Sequence, residues 1–266
     1  VQTYEQAFTD SEVLSRQWVQ MRSENTSPEF AVACSVDAIY SLGTEHPVDG
    51  PGEQSKPKRI FGFMSSRSKW LNFLEQAYGV TSRESAIEVV RALLENAGDP
   101  VYDLFRPGLE QLVAAPVEQR PAAYQQLRET AAQISTEAGI EELVGEFDVW
   151  AHILLDPRSV EALPSQLPRN LVGWDTTRAA WVLRLAYRSG LLNDQDLGQL
   201  LPNCLAVTRE HCANWREHAE GFLYGRAKWS ETIDESSIEF RDKAIFCLES
   251  QEMPWARFPL HPSAHS

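Results

Sequence analysis

Two arginines fall where a helix should present only apolar side chains. In "GWDTTRAAWVLRLAYRSGLL", at ~100° per residue, Trp174, Val182 and Leu185 lie within ~40° of Arg178. In "NWREHAEGFLYGRAKW", taking Trp215 as reference, His211, Cys212, Ala219, Phe222, Arg226 and Trp229 lie within ~60°. A guanidinium among such neighbours is costly unless an anion compensates it. Asp175 stands three residues before Arg178, close enough on a helix surface to reach it, and in a first turn it also favours the positive end of the helix dipole. Two chemistries are open. Arg178 and Arg226 can pair internally with Asp175 or another acid, which is the first reading. They can instead clamp an external carboxylate or phosphate, which the planar fork of arginine suits, with Asp175, His211 or His218 nearby. Arg184 and Arg188 group with Thr177 on another side of their helix and read as its solvent face.

Gly221 and Gly225 stand on the side adjacent to the second stripe. Glycine within a helix costs ~1 kcal/mol relative to alanine, so a pair at this spacing predicts that another helix crosses closely there. His211 and His218, read on one helix, are ~10 Å apart and cannot share one ion, so no metal site is expected. No cofactor is expected, and no catalytic residue can be named: P-loop, Rossmann, H-E-x-x-H, EF-hand and G-x-S-x-G patterns are all missing from the sequence. His152 in "WAHILL" reads as a satisfied helix histidine, and Lys56 to Arg59, "KPKR", as a solvated basic linker.

The elements that must hold these residues are helical. Thr81 and Glu84 have capping-box spacing ahead of Ala86, Val89, Val90, Leu93, Leu94 and Ala97, with Gly98 as the stop. Ser27 and Pro28 open a helix that runs to Gly43. Ile140, Leu143, Val144, Phe147, Trp150, Ala151 and Leu154 share one face ahead of Pro157. Further helices are expected near 10–22, 68–78, 121–137, 171–190, 194–201, 205–229 and 237–249. No sustained period-two alternation marks a strand. Two Pro-rich linkers, "GTEHPVDGPGEQSKPKR" and "DPRSVEALPSQLPRN", do not require a domain boundary. The reading is all-α: a single compact multi-helix domain over 1–266 with irregular N- and C-terminal extensions. In the Pro-rich tail 252–266 the prolines argue against helix, Trp255 and Phe258 are expected to pack back on the body, and the last residues to fray.

The chain has 266 residues, 43% apolar and 23% charged, with a net charge of −14. That is globular composition, and the acidity argues against a nucleic-acid partner. It admits a protein partner with a basic surface. Cys34, Cys204, Cys212 and Cys247 form no C-x-x-C and read as buried free thiols of a reducing compartment. The opening "VQTYEQAFTD" carries no legible signal peptide, and no apolar run approaches the ~18 residues of a membrane span, so a cytoplasmic location is expected.

At "GWDTTRAAWVLRLAYRSGLLNDQDL" and "NWREHAEGFLYGRAKW" the chain resembles the bacterial family called domain of unknown function 1266 (YbeU-type). "WLNFLEQAYGVTSRESAIEVVRALLENAG" is similar to an earlier family segment, with Tyr78 where tryptophan is expected. The resemblance covers about residues 30 to 230 and falls on Trp174, Asp175, Arg178, Gly190, Trp215, Gly225, Arg226 and Trp229. It implies an α-helical domain and brings no established activity. The expected function is a noncatalytic protein-binding protein, such as an immunity-type inhibitor that masks a basic toxin. The alternative is an enzyme or small-ligand sensor that holds an anion through Arg178 and Arg226.

Overall fold

The computed structural model describes residues 2–16, 18, 26–54 and 66–262. The "KPKR" stretch, much of 17–25 and the last residues of the tail lie outside them. The described elements are helices, with no β-strand among them. The N-terminal part holds α1 (Tyr4–Ala7), α2 (Ser11–Ser15), α3 (Pro28–Cys34) and, after a 3-10 turn at Ser35–Asp37, α4 (Ala38–Ser41). The middle holds α5 (Ser66–Tyr78), α6 (Arg83–Glu95), α7 (Pro100–Ala114), α8 (Arg120–Ala138), α9 (Leu143–Leu155) and α10 (Ser159–Ala162). The last part holds α11 (Val172–Arg188), α12 (Asp194–His211), α13 (Trp215–Ser230), α14 (Glu235–Glu249) and α15 (Pro254–Arg257).

α11 is the axis of the fold. From Val172 to Tyr187 every residue except Arg178 is buried, because α5, α6, α12, α13 and the 3-10 turn surround it. The expected solvent face of Thr177, Arg184 and Arg188 is therefore corrected. Thr177 and Arg184 have no exposed surface. Arg184 Nη1 donates to the Cys34 carbonyl (2.9 Å), to Ser41 Oγ (3.0 Å) and to the Asp37 carboxylate, while Nη2 donates to the carbonyls of Gly50 (2.9 Å) and Pro47. Arg188, one turn on, donates to the Glu45 carbonyl at 2.9 Å. A helical wheel assumes water on the polar side; here the segment 34–53 takes the place of that water.

Several boundaries differ from the sequence reading. The box that opens α6 is Ser82 with Ser85, not Thr81 with Glu84. The expected break near 202–204 is absent, since Pro202 sits inside α12, and the chain instead turns at 212–214 with Asn214 capping α13. Pro202 removes one hydrogen bond from the Gly198 carbonyl, but both residues face solvent, where water serves that carbonyl. The same applies to Pro107 and Asp103 in α7, a helix the sequence reading did not anticipate. Pro254, read as a helix breaker in the tail, occupies the first turn of α15, where its missing N–H has no partner to lose. Ile140 precedes α9 and is exposed rather than part of its apolar face. Trp255 packs back on the body as expected. It stacks on Trp215 at 4.9 Å and donates to the Ser35 carbonyl at 2.8 Å. All four cysteines are free and buried.

Two histidines lie in this interior. His46 sits between Trp70 (4.9 Å) and Trp181 (4.7 Å), and neither ring nitrogen has a hydrogen-bond partner. Burial, and then Arg188 and Arg184, push its pKa from 6.5 down to about 2; burial pushes that of His218 down to about 4. Both groups are neutral in the folded protein and charge more readily when it unfolds. Their stabilising contribution is complete above about pH 6.5 and is lost as pH falls. Unfolding free energy should thus drop by about 2 kcal/mol per histidine between pH 6.5 and 5, and His46→Phe should flatten that limb in urea titrations. Asp37→Ala leaves the Arg184 guanidinium buried with no carboxylate and should cost about 3–5 kcal/mol at pH 7; a loss below about 1 kcal/mol would contradict the buried pair.

Candidate functional site

The crossing of α11 and α13 is made by three glycines. A Cβ on Gly221 would lie 2.9 Å from the Asn170 carbonyl oxygen, one on Gly225 would overlap the Trp174 side chain, and one on Gly173 would overlap the His218 carbonyl. The close approach read from Gly221 and Gly225 is present, and Gly173 on the facing helix completes it. Only backbones with no side chain between them leave this space.

At this crossing the two sequence stripes meet. The Trp174 and Trp229 rings lie 6.2 Å apart, Arg178 stacks over Trp174 at 4.8 Å, and Arg226 stacks over Trp229 at 5.0 Å. Arg178 Nη2 donates to Asp175, whose second oxygen accepts the Gly98 N–H at 2.9 Å. The internal pairing expected for Arg178 is thus observed, and Gly98, with φ of 99°, supplies the backbone that anchors the acid. Burial raises the Asp175 pKa, while the Gly98 N–H and Arg178 pull it back. Arg226 Nη2 donates to Ser236 Oγ at 3.0 Å and lies 4.0 Å from Asp234.

A cleft of about 340 Å³ opens beside these rings, lined by Asp99, Trp174, Asp175, Arg178, Trp229 and Glu231. Asp99 caps α7 by accepting the N–H groups of Val101 and Tyr102. Glu231 ends α13 with φ of 55°, the sole non-glycine residue in the left-handed region among the described residues. Lys228 also lines the cleft, but its ammonium is tied to Glu146 at 2.6 Å. The cations here are thus engaged by carboxylates, whereas Glu231 forms no ion pair among the described residues. Trp229 is 65% exposed. A tryptophan so exposed, with a tilted second indole beside it and a guanidinium over one face, presents its other face as a contact surface with an acidic rim.

Two other candidates lie elsewhere. Trp215, fourteen residues before Trp229 and so ~21 Å away along the helix, donates to the Phe258 carbonyl at 2.9 Å and anchors the tail. His211 ends α12, its carbonyl accepting from Asn170 at 2.9 Å. It does not share a helix with His218, whose ring contacts the Val36 carbonyl at 3.0 Å. Asp99 and Glu231 were missed by sequence reading. The Asp99–Pro100 pair is a cap followed by an N1 proline, a usable signal; glutamate in a left-handed cap has none.

A family model described as a protein of unknown function (DUF1266) matches residues 73–260, and the chain belongs to that family. No curated protein and no solved structure matches it. The matched span holds every residue of the crossing. Alanine at Gly173 or Gly225 has no room and should destabilise the fold by about 1–3 kcal/mol in denaturant titration, whereas Gly145→Ala, in open space, should be neutral or better.

Proposed function

We propose that this member of the DUF1266 family is a noncatalytic binding protein whose α11–α13 cleft receives a basic segment of a partner protein. The observation that carries the reading is Trp229, largely exposed on a cleft where Arg178 and Lys228 are already neutralised and Glu231 is not. A lysine or arginine side chain laid on the Trp229 face gains a cation–π contact and meets the carboxylates of Asp99 and Glu231. The net charge of −14 steers such a segment toward the molecule. An immunity-type inhibitor holding a basic toxin is one form of this pairing.

Labelled arginine-rich, lysine-rich and glutamate-rich peptides, titrated by fluorescence anisotropy at low and physiological salt, test it. The basic peptides should bind and the acidic one should not. Trp229→Ala should weaken binding at least about tenfold with the fold intact. Glu231→Lys should slow association, and added salt should reduce the difference. Equal binding of the acidic peptide, or no effect of Trp229→Ala, would refute the reading.

A further inference from the structure

The two indoles of the cleft already carry cations, and both are guanidinium groups. Arg178 rests on Trp174 at 4.8 Å and Arg226 on Trp229 at 5.0 Å. Lys228 lines the same cleft, but its ammonium reaches away to Glu146 at 2.6 Å. Arg226 covers one face of Trp229 and leaves the other, on a side chain 65% exposed. Asp234, 4.0 Å from Arg226, offsets the charge that a second cation across the ring would meet.

The acceptors left at the rim come from two different helices. Asp99, at the start of α7, gives Oδ1 to the N–H groups of Val101 and Tyr102 at 2.9 and 3.1 Å, and among the described residues its Oδ2 accepts no hydrogen bond. Asp175 is not available in the same way, because Arg178 and the Gly98 N–H engage its two oxygens. Glu231 is the C-cap of α13, and with Lys228 and Trp229 it brings the C-terminal end of that helix to the cleft. The helix dipole is negative there, which adds to the pull on a cation.

A cation suited to this arrangement lies flat on one indole face and reaches two carboxylates held by separate elements. A guanidinium does both, since its plane stacks while its in-plane N–H groups fork outward to different acceptors. An ammonium is a compact, strongly hydrated point charge and gives up one contact to make the other. We infer that the cleft selects arginine over lysine, taking one arginine side chain of the partner between the free face of Trp229 and the carboxylates of Asp99 and Glu231. The cleft volume of about 340 Å³ suits a single long side chain. This inference rests on the basic-segment reading and adds to it the identity of the residue that is recognised.

Capped glycine–serine peptides carrying one arginine, lysine or citrulline, competed against the labelled arginine-rich peptide, test it. The arginine peptide should compete at least about tenfold better than the lysine peptide, and citrulline, planar but uncharged, should not compete. Asp99→Asn keeps an acceptor for the α7 cap while removing the charge, and should cut the arginine preference to about threefold or less with the fold intact. Trp229→Leu keeps apolar bulk without a π face and should do the same. Equal competition by arginine and lysine would overturn the selection and leave the basic-segment reading standing, whereas no binding of the labelled peptide would overturn both. Citrulline competing as well as arginine, or an undiminished preference in a folded Asp99→Asn, would also overturn it. Should Asp99→Asn fail to fold, the arginine-to-lysine ratio of the wild-type chain decides.

Discussion

A guanidinium group with no access to water must find acceptors inside the protein, and Arg184 finds five. Three come from the turn region Cys34–Ser41 and two from the loop at Pro47 and Gly50. This arrangement fastens the segment 34–50 along α11 and denies that helix a solvent side. Removing either ionic partner would leave an uncompensated charge in a site with no surface, which is why the pair is demanding as well as stabilising. α11 thereby becomes the element around which α5, α6, α12 and α13 are arranged.

Once α11 is enclosed, its remaining contacts are constrained by shape. It reaches α13 through glycines, since nothing larger fits between the backbones. The short separation sets Trp174 over Gly225 and beside Trp229. The same crossing thus turns two helical stripes, separated by about fifty residues in the chain, into one aromatic and charged locus. What is left at its outer edge is decided by subtraction: Arg178 and Lys228 are each taken by a carboxylate, and the acids Asp99 and Glu231 remain at the rim.

How legible a feature was depended on its range. Arg178 with Asp175 could be read because the partners are three residues apart, and helix geometry alone brings them together. The Gly221–Gly225 contact could be read because glycine in a helix has a cost that needs a reason. Arg184 could not be read, because its acceptors lie 134 to 150 residues earlier. The break expected after residue 201 did not occur at Pro202, because a proline's effect depends on whether water reaches the carbonyl it frees, and local sequence does not reveal that.

The sequence by itself determined the all-α class, most helix positions, the local Arg178–Asp175 pair and the presence of a close helix crossing, since each depends on periodicity or on neighbours within one or two turns. Tertiary structure alone decided that Arg184 rather than Arg178 is the fully enclosed cation. It decided also that Trp215 and His211 lie away from the cleft, and that Asp99 and Glu231 border it. Those outcomes turn on which surfaces lose water when distant segments pack, and burial is a property of the assembled fold rather than of any stretch of chain.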